Sequence, residues 1–133
     1  PTVFAHTIGN DLEELTPLIQ ELETFCDTND STPLQNYYVL MAVEELCTVI
    51  MNEGFQGENG LIQITLFVLP DSIFELRIRD SAHAFNPFSL PTGQLTDDED
   101  FDLDAIGVFA IKERAKSFSY RQYQGFNTLV VRV

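Results

Sequence analysis

Apolar residues recur along this chain with two periods, and the switches between them mark out the elements. Thr2 to Ile8 alternates loosely and predicts a first strand. Gly9-Asn10-Asp11 supplies a turn with a capping residue. Leu12, Leu15, Leu18, Ile19, Leu22 and Phe25 then repeat at helical spacing, predicting an amphipathic helix over residues 11–26. Pro17 lies inside that pattern and predicts a kink or a late start of the regular part. After the polar break Asp27 to Thr32, Ser31 or Thr32 before Pro33 marks the start of a second helix, with its pattern running from near Leu34 to near Gly54. At about 100° per residue, Val39, Leu40, Val43, Leu46, Cys47 and Ile50 share the arc expected to face the core. Met41, Glu45, Thr48, Val49 and Asn52 fall opposite, where Glu45, Thr48 and Asn52 make a polar stripe.

The second half changes to strand alternation. Gln56 to Gly60 reads as a turn. Leu61 to Leu69 places Ile62, Ile64, Leu66 and Val68 on one face, and Pro70-Asp71-Ser72 turns the chain into a returning strand, Ile73 to Arg79. Residues 81–103 show no period and contain Pro87, Pro91 and Gly93, the mark of a long functional or mobile loop. Ile106, Phe109, Ala110 and Ile111 open a third helix that runs to about Lys116. Ser117 to Tyr123 and Asn127 to Val133 form a second hairpin around Gln124-Gly125. The order predicts an α+β fold over residues 1–133. It is a two-layer sandwich of about five mostly antiparallel strands with three helices on one face.

Size fits one domain: 133 residues build a core without staples. Apolar runs are short, so no membrane span is expected, and no basic region followed by an apolar core suggests a signal peptide. A start at Pro1 fits a piece cut from a longer protein. Cys26 and Cys47 sit in helical patterns at no metal-ligand spacing, and free thiols in a reducing cytoplasm account for them better than a disulfide. The charge is unusual: seven Lys and Arg against 21 Asp and Glu give −14. Such a surface repels phosphate backbones and anionic lipid, so nucleic acid and membranes are excluded as expected partners.

Three segments now carry candidate chemistry. Glu45 lies on the second helix within Val43-Glu44-Glu45, with Gly54-Phe55 closing it. Arg79-Asp80 and Phe85-Asn86-Pro87 follow a strand. Gly107-Val108-Phe109-Ala110-Ile111-Lys112 opens the third helix. In this order and spacing the chain resembles the GHKL (Bergerat-fold) ATPases, and most closely their small anti-sigma-factor serine-kinase branch, over nearly its whole length. The resemblance implies a general base at Glu45, an adenine-amino acceptor at Asp80, and phosphate contacts from backbone N–H groups at Gly107. Thr48, Ala82, Ala84 and Ala105 occupy further nucleotide-site positions. ATP and magnesium are the implied cofactors.

The departures oppose them. The magnesium-holding Asn of the family falls at Val49, which offers no oxygen, and Asn52 one turn on is a weak substitute. Ala82, Ala84 and Ala105 stand where the family has glycine, adding methyl groups where backbone should approach nucleotide. The loop matching the nucleotide lid carries Asp97, Asp98, Glu99, Asp100, Asp102 and Asp104, and no Lys or Arg lies between Asp80 and Lys112. Unit charges about 4 Å apart interact by roughly 1–4 kcal/mol at surface dielectrics, so these acids oppose a triphosphate. Read as an EF-hand from Asp98, the required Gly and Glu positions hold Leu103 and Phe109, which rejects that motif. His6 and His83 read as a strand residue and a loop residue, and Phe85 and Phe88 as core.

Three functions remain in view. One is an ATP-dependent serine kinase that phosphorylates an antagonist and sequesters a sigma factor. The second is a degenerate regulator that switches between protein partners, and the departures favour it. The third is a structural or dimerisation module of a larger signalling protein, with a homodimer among the arrangements open to it. Each would be cytoplasmic.

Overall fold

The structure is a computed structural model that describes residues 2–90 and 103–133. Five antiparallel strands form one sheet: β1 (Val3–Gly9), β2 (Leu61–Leu69), β3 (Ile73–Asp80), β4 (Ser117–Tyr123) and β5 (Phe126–Arg132), in the order β1-β2-β3-β5-β4. Alternation sends Ile62, Ile64 and Leu66 of β2, and Phe74, Leu76 and Ile78 of β3, to the buried face. The β4–β5 turn uses Gln124 and Gly125, both at positive φ (51° and 81°), the geometry whose twist suits a two-residue hairpin.

Helices α1 (Leu15–Thr28), α2 (Pro33–Val49) and α3 (Leu103–Arg114) cover that buried face. Asp11 caps a short 3₁₀ turn, Leu12–Glu14, by accepting from the Glu13 N–H. The regular helix therefore starts late, leaving Pro17 in the first turn of α1, where no intrahelical N–H is lost. Thr32 and Gln35 make a reciprocal capping box at the start of α2, with Pro33 in the first turn. The far end of α2 widens into a π-helical turn, Ile50–Gly54, closed by the Phe55 N–H donating to the Ile50 carbonyl at 3.1 Å.

Helix α2 lies between α1 and α3 and rests on β3. That position corrects one expectation from periodicity. Val49, placed opposite the core arc, is 0% exposed, because a helix flanked on both sides leaves only a narrow stripe for solvent. Cys26 and Cys47 are buried free thiols, pushed up to about 11 and about 12 mainly by burial. Among the described residues, no helix is long and apolar enough to cross a membrane.

Candidate functional site

Asp80 ends β3 on the core side of the sheet and is 2% exposed. Its register partners are Ile62 on β2 and Asn127 on β5. Asp80 Oδ1 accepts from the Ala82 N–H and from Asn127 Nδ2, both at 2.9 Å. Asn127 Nδ2 also reaches the Ala82 and His83 carbonyls at 3.1 and 3.0 Å. On its other side, Asn127 Oδ1 accepts from the Tyr120 hydroxyl and the Phe85 N–H. The loop after β3 is thus wrapped around one buried amide. Burial pushes the Asp80 carboxyl above its ordinary range, and the bonds from Asn127 and Ala82 partly offset that. Nothing among the described residues donates to Oδ2.

Asn127 is the residue that motif reasoning missed. Its signal lay in the alternation, which places it on the buried side of β5 with Leu129 and Val131. A polar side chain there needs partners, and Asp80 is across the ladder.

The alanines of this corner behave differently from one another. Ala82 turns its methyl towards the end of α2, where a β-carbon on Gly54 would stand 3.0 Å from it. That methyl takes part in the contact between the end of α2 and the loop after β3. Ala84 is exposed and Ala105 is wholly buried. His83 is exposed with Nε2 3.4 Å from Glu58 Oε1. Phe88 is buried against Phe118, with ring centroids 4.8 Å apart.

The other half of the candidate site is the α2–α3 contact. Gly107 is the fifth residue of α3, not its opening, because the helix already starts at Leu103. Its N–H therefore belongs to the helical ladder, one turn in from Leu103. The side chain of Glu45 lies across Gly107: a β-carbon there would meet Glu45 Oε2 at 2.2 Å. Asn52 Nδ2 donates to Asp104 Oδ2 at 3.5 Å on the same contact. Desolvation, then Glu44, then Asp104 push the Glu45 carboxyl above its ordinary range.

Thr48 does not join this group. With Thr16, Ile19, Gln20 and Glu44 it lines a cavity of about 300 Å³ on the α1 side of α2. The predicted stripe is split, with Glu45 and Asn52 facing α3 and Thr48 facing α1. The expected acids Asp97, Asp98, Glu99, Asp100 and Asp102 lie outside the described residues. Asp104 stands in the first turn of α3.

These residues fit the two ends of a magnesium-bound ATP unequally. Asp80 presents a buried acceptor suited to an amino group. At the phosphate end, Glu45 covers Gly107, Asp104 adds a second acid, and Val49 offers neither oxygen nor exposure. Phosphate oxygens placed there would face the Glu45 and Asp104 carboxylates, so that end does not fit a magnesium-bound triphosphate.

Comparisons with known proteins agree on the architecture. A histidine kinase domain from the Erythrobacter litoralis EL346 blue-light activated histidine kinase is similar at a TM-score of 0.52 and 10% identity. The match covers 72% of this chain and 45% of that one, and at this identity it speaks for the fold alone. No curated protein sequence matched the chain. Residues 8–133 match the family described as histidine kinase-like ATPase domain, nearly the full length. With its five-stranded sheet, helical layer and Asp80 corner in place, the chain belongs to the histidine kinase-like ATPase domain family.

Proposed function

We propose that this domain is a regulatory module of bacterial signalling, of the anti-sigma-factor kinase type, that works by protein–protein partner switching and not by phosphoryl transfer. Members of its family generally bind ATP with magnesium. The observation that carries the departure is the Glu45 side chain seated on Gly107, which puts a carboxylate at the phosphate end of the site. Burial of Val49 supports the same reading, since the metal has no ligand at that position. The partner fitting this reading is a sigma factor or an antagonist of the anti-anti-sigma kind, by resemblance.

A second reading, an active serine kinase, draws on Asp80 Oδ2 and on the raised Glu45 carboxyl, which lies nearer the range of a general base. Calorimetric titration with ATP and ADP, with and without magnesium, separates the two. The regulator reading expects affinity no tighter than about 1 mM, roughly 4 kcal/mol of binding. Micromolar affinity for Mg-ATP would overturn it and favour the kinase.

A further inference from the structure

The solvent face of the sheet, opposite the helices, carries charge of the wrong sign for this chain. By strand alternation its charged residues are Glu75, Arg77 and Arg79 on β3, Arg121 on β4 and Arg132 on β5. That is four of the seven cations against one of the 21 acids, leaving three cations and twenty acids for everything else. Glu75, 3% exposed, is the keystone. Its Oε2 accepts from Arg77 and its Oε1 from Arg132, each at 2.8 Å, which fixes both guanidinium groups. Arg77 also lies 4.8 Å over the Phe67 ring and Arg79 lies 3.6 Å over the Phe126 ring. A cavity of about 510 Å³ opens between them, lined in part by Arg121, Tyr123, Thr128 and Val130.

We propose that this face docks a short acidic segment of a partner protein in extended conformation. The registers Arg79–Thr128–Arg121, Arg77–Val130 and Glu75–Arg132 place the arginines on three successive rows across the sheet. Same-face residues of a strand are about 6.8 Å apart, so an extended peptide with acids at alternate positions presents carboxylates at the spacing of those rows. Arginine forks held in place by Glu75 and by aromatic rings lose little freedom on pairing with carboxylates. Single-stranded nucleic acid fits less well. Phe67 and Phe126, two of the three aromatic rings on this face, are already covered by guanidinium groups and give bases no stacking platform. A polyphosphate running past the face would also meet the acidic remainder of the chain. The surface is distinct from the Asp80 and Glu45 regions, so docking does not depend on whether nucleotide binds.

The test is fluorescence anisotropy of the whole chain with a labelled ten-residue peptide of alternating Glu and Thr. Saturable binding at low salt that weakens sharply at high salt is expected. Arg79→Gln with Arg121→Gln should weaken it at least tenfold with an unchanged circular-dichroism spectrum. Lys112→Gln with Arg114→Gln, an equal two-charge change on α3 away from this face, should leave it within twofold. Three results would overturn the proposal. They are equal losses in both variants, tighter binding of a ten-residue oligothymidylate than of the peptide, and sedimentation showing the face buried in a self-associated form that the arginine variants dissociate. Added ATP should not displace the peptide, and displacement would move the binding site to the helical side.

Discussion

Glu45 on α2 and Gly107 on α3 fit each other: a β-carbon at Gly107 would stand 2.2 Å from Glu45 Oε2, 2.7 Å from Cδ and 3.2 Å from Cγ. Only a hydrogen at position 107 lets the carboxylate lie where it does. All the obstructing atoms belong to one flexible side chain, so a methyl group would displace Glu45 and leave the helices in place. The carboxylate expected as base and the glycine expected near phosphate are here in contact with each other.

A double-mutant cycle measures that contact. Alanine inside a helix gains about 1 kcal/mol over glycine, while Gly107→Ala costs Glu45 its seat. In the parent protein the two effects should nearly cancel, leaving stability within about 1 kcal/mol by urea unfolding. In a Glu45→Ala background nothing opposes the methyl, and Gly107→Ala should stabilise by about 1 kcal/mol. Equal effects in both backgrounds would show that Glu45 does not rest on Gly107. NMR titration adds a second reading, since a displaced Glu45 should titrate closer to an ordinary carboxyl.

Val49→Asn supplies the amide that the sequence resemblance leads one to expect for magnesium, yet its position is 0% exposed. A buried amide without partners costs about 1–3 kcal/mol. The expected result is a lower urea midpoint at unchanged slope, with no gain in Mg-ATP affinity, because Glu45 still covers Gly107. Undiminished stability together with tight Mg-ATP binding would sink this account of the site.

Asp80 and Glu75 should give pH dependences of opposite sign. The folded Asp80 carboxyl is raised by burial, so its contribution is present below the ordinary carboxylate range and lost as pH rises through its folded value. Asp80→Asn keeps an oxygen acceptor and removes the buried charge. It should raise Tm by about 3 °C near neutral pH, with the gain fading towards about pH 3.

Glu75 is itself desolvated, which acts to raise it, but the hydrogen bonds and charges of Arg132 and Arg77 together hold its carboxyl below the ordinary range. Its contribution is present above that range and lost as pH falls through its folded value. Glu75→Gln should therefore cost about 1 kcal/mol near neutral pH, held to that by the half-exposure of both arginines, and almost nothing near pH 3. Melting curves from about pH 3 to about pH 8 check both variants. Slopes of the same sign would refute the assignment.

Much of the fold was legible because local chemistry and long-range order agree. Thr32 before Pro33, with Gln35 in reach, specifies the start of α2 in any context. Period-two alternation through Ile62, Ile64 and Leu66, and again through Phe74, Leu76 and Ile78, assigns the buried face of β2 and β3 before any partner is known. Pro17 left a kink or a late start of α1 open, and the Asp11-capped 3₁₀ turn makes it a late start. Asp80 at a strand end and Glu45 on a helix could be picked out by motif, because motif spacing survives folding unchanged.

What the sequence determined by itself is therefore the elements, their faces and the family they resemble. Tertiary structure decided everything that depends on who lies next to whom. Helical periodicity cannot tell that α2 has neighbours on both sides, so it put Val49 on the open arc and joined Thr48 to Glu45. It could not foresee that α3 begins at Leu103, which moves Gly107 into the helix and beneath Glu45. Asn127 became the partner of Asp80 only through the β3–β5 register, across 47 residues of chain. The four arginines are scattered from residue 77 to residue 132, and only the sheet brings them to one face. Periodicity reports a residue's direction from its own backbone. Burial and charge environment depend on distances between segments, and those exist only once the chain has folded.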